Sequence, residues 1–98
     1  MDEQVQQLAA GPGPATSWSR KEVDDVLLDI WKRTLLLDSA GEDSDFFEAG
    51  GDSLRAVELM LEIDRRFGVN LDPIEILAYP TLRGFSDFLF LMLSEQGR

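Results

Sequence analysis

The chain has no cysteine and no histidine. Without cysteine there is no disulfide framework, no thiolate nucleophile and no redox chemistry on its own side chains. Without histidine the usual zinc and iron ligand sets and the commonest general base are missing too. Basic residues are scarce. Nine Lys and Arg against 19 Asp and Glu leave a net charge of −10, which repels phosphate backbones and anionic bilayers and favours partners that present Lys and Arg. Neither nucleic acid nor membrane is an expected partner. The longest apolar run, Phe88 to Leu93, is far too short to span a bilayer, and "MDEQVQQLAA" lacks the basic region and apolar stretch of a secretory signal. The expected location is the cytoplasm.

What remains is 98 residues, 44% hydrophobic and 29% charged, enough for one small core and too few for two. "AAGPGPATS", residues 9–17, mixes Gly, Pro and small polar residues without periodicity, so residues 1–17 read as a flexible leader and 18–98 as the domain. "SRKEVDDVLLDIWKRTLLL" predicts a helix: Ser19 is an N-cap with Glu22 three residues on, and Val23, Val26, Leu27, Ile30, Trp31 and Leu37 share a face. Residues 38–52, "DSAGEDSDFFEAGGD", hold six acids, three glycines and no base, and read as a long ordered loop with Phe46 and Phe47 as candidates to plug it onto the core.

A second helix is expected from Ser53 to Phe67, stopped by Gly68. Asp72 as N-cap, Pro73 at the first helical position and Glu75 at the third predict a short third helix that ends before Pro80. Thr81 then caps a last helix with Leu82, Phe85, Phe88, Leu89 and Met92 inward and Phe90 and Leu91 outward. No stretch alternates with period two, so the expected class is all-α, a small bundle of three long helices and one short one.

The serine in "EAGGDSLRAVELM" poses the functional question. A catalytic serine needs a base, and a triad is excluded without histidine. A Ser-Lys pair is conceivable, but Lys21 and Lys32 both fall on the first helix with no evident reason to be desolvated; "GGDSL" also lacks the G-x-S-x-G spacing and its preceding strand. Nor is the acidic stretch an EF-hand: a loop begun at Asp43 would put Phe47 and Glu48 where a fifth-position ligand and a sixth-position Gly belong. The two glycines lack the Lys-Ser/Thr that completes a P-loop. On local features alone, Ser53 reads equally well as no more than the cap of the second helix.

That helix is apolar on two sides. Ala56, Leu59, Met60, Ile63 and Phe67 fall in one sector and Leu54, Val57 and Leu61 in the opposite one. If the larger set faces the core, the smaller is an exposed strip that begins beside Ser53 with Glu58 and Glu62 on its border, as in an interface with an apolar centre and a charged rim. The alternative is a helix buried on both sides.

The acidic loop, "GGDSL" opening a helix and the run "DSLRAVELMLEIDRRFGV" together resemble the carrier proteins of acyl, polyketide and nonribosomal peptide assembly, over roughly Val23 to Leu93. The resemblance implies that Ser53 is not a catalyst. A phosphopantetheinyl transferase would attach the 4′-phosphopantetheine of coenzyme A to its hydroxyl, and the thiol of that arm would carry an acyl group as a thioester. Gly50, Gly51, Asp52 and Leu54 complete the motif, with the glycines allowing the turn and close approach of partners. Leu54, Val57 and Leu61 occupy positions the family uses to meet partners, with Glu58 and Glu62 facing their basic residues.

Phe46 or Phe47 leading to Gly50-Gly51-Asp52-Ser53 looks most like peptidyl carriers, while "DSLRAVELML" also resembles fatty-acid carriers. Starting at Met1 with a leader, the chain resembles a discrete monomeric carrier. The partners implied are the transferase, an adenylation or other acyl-loading enzyme, and condensation, ketosynthase, thioesterase or tailoring enzymes. An unmodified helical interaction module is the alternative of another class, and a hydrolase the weakest reading.

Overall fold

The computed structural model describes residues 18–96; the leader expected over residues 1–17 lies outside the described residues. Four helices follow in order: α1 Arg20–Leu35, α2 Ser53–Phe67, α3 Glu75–Ala78 and α4 Leu82–Gln96. The all-α expectation holds, and the one β feature among the described residues is an isolated bridge between Asp45 and Thr81.

Helix α1 starts where its capping residues predict. The Ser19 hydroxyl accepts from the Glu22 amide at 3.1 Å and the Glu22 carboxylate accepts from the Ser19 amide at 2.9 Å, so two otherwise unpaired donors are satisfied reciprocally. It ends at Leu36, a left-handed residue with φ of 59°. Leu37 lies past that end yet still packs against the core. Pairing of Arg33 with Glu62 and of Arg66 with Asp29 shows that α1 and α2 run antiparallel. Val23, Leu27, Ile30 and Trp31 from α1 meet Ala56, Leu59, Met60, Ile63 and Phe67 from α2, and Phe85, Leu89 and Leu93 from α4 close the core. At the start of the domain the Trp18 ring packs on Phe67, with centroids 4.6 Å apart.

The long loop is held at both levels. Its backbone serves as cap for α4: Ser44 and Glu42 carbonyls accept from the Leu82 and Arg83 amides, each at 2.9 Å, and the Thr81 hydroxyl accepts from the Gly84 amide at 3.1 Å. Its side chains enter the core. Phe46 is fully buried edge-on to Trp31, whose indole N–H donates to the Ser44 hydroxyl at 3.1 Å.

Three expectations need correction. Only Phe46 plugs the loop; Phe47 is 41% exposed, because the turn after Asp45 sends the next side chain outward. The third helix is shorter than expected, since Asp72-Pro73-Ile74 form tight turns first. The Asp72 carboxylate accepts from the Ile74 amide, and the amides of Glu75, Ile76 and Leu77 bond three residues back rather than four. Phe90 is half-buried against the core with the Arg20 guanidinium 5.8 Å from its ring centroid, so of the outward pair only Leu91 is exposed.

Candidate functional site

A short turn carries the chain from the core to the serine. Asp45 opens it, its carboxylate accepting from the Phe47 and Glu48 amides at 2.9 and 3.1 Å. Gly50 takes φ of +105°, a conformation that disfavours any side chain. Gly51 then packs its backbone against the Phe46 ring, where a β-carbon would overlap the ring atoms, and donates its amide to the Phe46 carbonyl at 2.8 Å. The first glycine is needed for its backbone angle and the second for its missing side chain.

Asp52 follows in extended conformation and is the N-cap of α2: its carboxylate accepts from the Arg55 amide at 2.9 Å. This corrects the capping reading of Ser53. Both Asp and Ser make good caps, and the glycine turn puts Asp52 in the capping position and Ser53 at the first helical one. The Ser53 hydroxyl is left exposed and out of the cap, at the helix end where early amides and the positive end of the dipole favour an anion.

From that end the apolar strip runs as expected. Leu54, Val57 and Leu61 are 65%, 43% and 59% exposed, while the other stripe of α2 is buried. The reading of a helix buried on both sides therefore fails. Two further exposed residues extend the patch, Ile74 and Leu77 around α3, and a groove of about 260 Å³ between α2 and α3 is lined by Ser53, Val57, Ile74 and Leu77 among others. Sequence reading missed this pair. The signal was "IEIL", whose three aliphatics cannot all face inward from one helical turn, and Ile76 takes the core position.

The border differs from an unpaired acidic rim. Arg55 lies 2.9 Å from Glu58, and Glu62 stands between Arg33 at 3.6 Å and Arg65 at 3.4 Å.

A larger depression, about 540 Å³, lies between α1 and α4 around Arg20, Asp24 and Ser86, and Ser53 is not part of it. Its charges are matched internally: Arg20 bridges Asp24 and Asp87, Arg83 meets Glu42, and the buried Ser86 hydroxyl donates to Asp24. Partial burial pushes the Asp24 carboxyl up, but the hydrogen bond from Ser86 and the Arg20 guanidinium outweigh it and hold the group below the ordinary carboxylate range. The same carboxylates hold the Arg20 guanidinium above its usual value. Charges that satisfy one another tie two helices together, and this depression serves the fold.

Comparison with known proteins decides the family. Residues 25–89 match the family model described as phosphopantetheine attachment site. The chain belongs to the phosphopantetheine-dependent carrier proteins. Among curated relatives, it is 37% identical over 71 residues to polyketide synthase PksN of Bacillus subtilis, covering 72% of this chain. It is 33% identical over 87 residues to a linear gramicidin synthase of Brevibacillus parabrevis, covering 89%. The carrier spans about 1% of the length of either relative.

Of solved structures, BlmI, a type-II acyl carrier protein from Streptomyces verticillus, superposes with a TM-score of 0.70 at 27% identity, over 76% of this chain and 89% of that one. A chain from the complex of the phosphopantetheine transferase Sfp with coenzyme A and a peptidyl carrier protein gives 0.64 at 28% identity, over 68% and 87%. The carrier is thus a domain of the nonribosomal peptide and polyketide type, and its cofactor is 4′-phosphopantetheine. The site's geometry fits that group: an exposed primary hydroxyl at a helix N-terminus, with two side-chain-free residues shortly before it.

Proposed function

We propose that Ser53 is the attachment point and that the carrier tethers an aminoacyl or acyl intermediate during nonribosomal peptide or hybrid assembly, presenting it to successive enzymes. The observation that carries this reading is the exposed Ser53 hydroxyl at the first helical position, with the capping duty taken by Asp52. Attachment forms a phosphodiester at Ser53 Oγ as the pyrophosphate bond of coenzyme A breaks; adenosine 3′,5′-bisphosphate leaves and the Ser53 hydroxyl proton passes to a base. The transferase supplies the base, because the chain has no histidine and no lysine in the motif. Once attached, the group supplies the thiol that bears the cargo.

The chain's own residues do the rest without catalysis. Gly50, Gly51 and Asp52 hold the serine out of the fold. Leu54, Val57 and Leu61, bordered by Glu58 and Glu62, form the face that partner enzymes cover: the transferase, an adenylation or other loading enzyme, and condensation, ketosynthase, thioesterase or tailoring enzymes. Exposed rims and small apolar centres give contacts that form and release quickly, as a shuttle requires. The carrier acts as a monomer in the cytoplasm, where its coenzyme A donor is found. The Gly-Gly-Asp-Ser motif favours peptidyl cargo; similarity to a polyketide synthase supports acyl cargo as the second reading.

The test uses the missing cysteine. After incubation with coenzyme A, magnesium and a broad-specificity transferase, the repurified carrier should show one titratable thiol per chain where it had none, and Ser53→Ala should show none.

A further inference from the structure

Of the six phenylalanines, only Phe47 is exposed, and it shares a groove with Ser53. The fold does not use it as a plug. Phe46 alone fills the core position beside Trp31, and the turn that follows Asp45 carries the Phe47 ring outward.

The ring is nevertheless held. Its backbone is pinned on both sides, the amide donating to the Asp45 carboxylate at 2.9 Å and the carbonyl accepting from the Gly50 amide at 3.1 Å. The ring meets that of Phe46 edge-on with centroids 5.3 Å apart, and Phe46 meets Trp31 in the same way at 5.7 Å. Two aromatic contacts thus tie an exposed side chain to the core. A side chain already fixed loses little freedom when a partner covers it, and aromatics buried near the centre of an interface are where binding energy concentrates.

The position of the ring selects the partner. Phe47 lines the groove together with Ser53, Val57, Ile74 and Leu77, so the hydroxyl has an aromatic ring in its groove as well as the apolar strip leading away along α2. An enzyme that joins a group to Ser53 Oγ must bring its reacting atoms to that hydroxyl. With about 800 Å² covered on each partner in a typical interface, its footprint takes in the groove. Enzymes that act on the thiol work at the far end of the arm and are under no such constraint.

We propose that Phe47 is an anchor of the contact with the modifying transferase, its ring entering an apolar pocket of that enzyme while Ser53 is loaded. The Asp45 carboxylate, by fixing the turn, keeps the ring outward for this contact. This rests on the functional reading above, which makes Ser53 the site of attachment.

The experiment is the rate of phosphopantetheine loading by two unrelated transferases for wild type, Phe47→Ser, Phe47→Leu and the control Leu91→Ser, which removes an equally exposed apolar side chain on α4, with thermal melts to verify folding. Phe47→Ser should lower kcat/KM by about tenfold through KM, Phe47→Leu should recover most of that loss, and Leu91→Ser should stay within about twofold of wild type. Loading of Phe47→Ser at the wild-type rate, a loss carried by kcat alone, or Phe47→Leu as slow as Phe47→Ser overturns the proposal. A second measurement needs no variant: as transferase is titrated onto the wild-type carrier, the Phe47 ring protons should shift in NMR spectra while the Leu91 methyls stay in place, and unmoved Phe47 signals would overturn the proposal as well. Failure of wild type to load at all would instead remove the functional reading itself.

Discussion

Gly51 lies against the Phe46 ring with no space for a β-carbon between them, and its amide donates to the carbonyl of the same residue. Phe46 is fully buried beside Trp31, so this contact ties the approach to Ser53 to the centre of the core. Gly51→Ala should therefore destabilise the fold by about 1–3 kcal/mol, the usual cost of overpacking. Urea denaturation of the two proteins checks it, and an unchanged midpoint would contradict the contact.

Asp52 and Ser53 should separate cleanly by mutation. Removing the Asp52 cap costs about 1 kcal/mol, whereas Ser53→Ala, at an exposed position outside the cap, should stay within about 0.5 kcal/mol of wild type. Loading should respond the opposite way: Ser53→Ala abolishes it and Asp52→Ala only slows it. Thermal melts and loading rates on the same samples give both readouts.

The exposed strip predicts a second split between stability and function. Leu54→Ser and Leu61→Ser remove apolar surface that is already in water, so each should shift stability by no more than about 0.5 kcal/mol while loading slows several-fold. Equal loading rates would exclude the strip from the partner surface.

The caps, the core stripe and the strip were legible in the sequence because each depends on spacing along one helix: Ser19 with Glu22, Thr81 before Leu82, Leu54 with Val57 and Leu61. Which of two adjacent residues does a task was less legible. Phe46 and Phe47 are equally apolar, and Asp52 and Ser53 equally good caps; the Asp45 turn and the Gly50-Gly51 pair choose between them, and a turn's detailed geometry comes from contacts made across the fold. Ion pairs between helices escaped the reading for the same reason. The pairing of Glu62 with Arg33 depends on the register of α1 against α2, which no local pattern encodes.

Acid should loosen the α1–α4 contact through Asp24. Its pKa is lower folded than unfolded, so the ionised group favours the folded state; that stability is full above the unfolded value near 3.9 and is lost as pH falls through the folded one. The Asp24 side chain is about half exposed, so solvent screening keeps the effect under about 1 kcal/mol. Wild type should exceed Asp24→Asn in denaturation midpoint at neutral pH, and the gap should close below about pH 4. A gap that widened in acid would contradict the assignment.

The central claim, that Ser53 bears the cofactor, is tested most directly by the intact mass of the carrier after treatment with coenzyme A, magnesium and transferase, followed by mapping of the modified peptide. One phosphopantetheinyl group per chain is expected, on the peptide that contains Ser53, and none on Ser53→Ala. No adduct with two different transferases on folded protein, or an adduct on another residue, would contradict the claim.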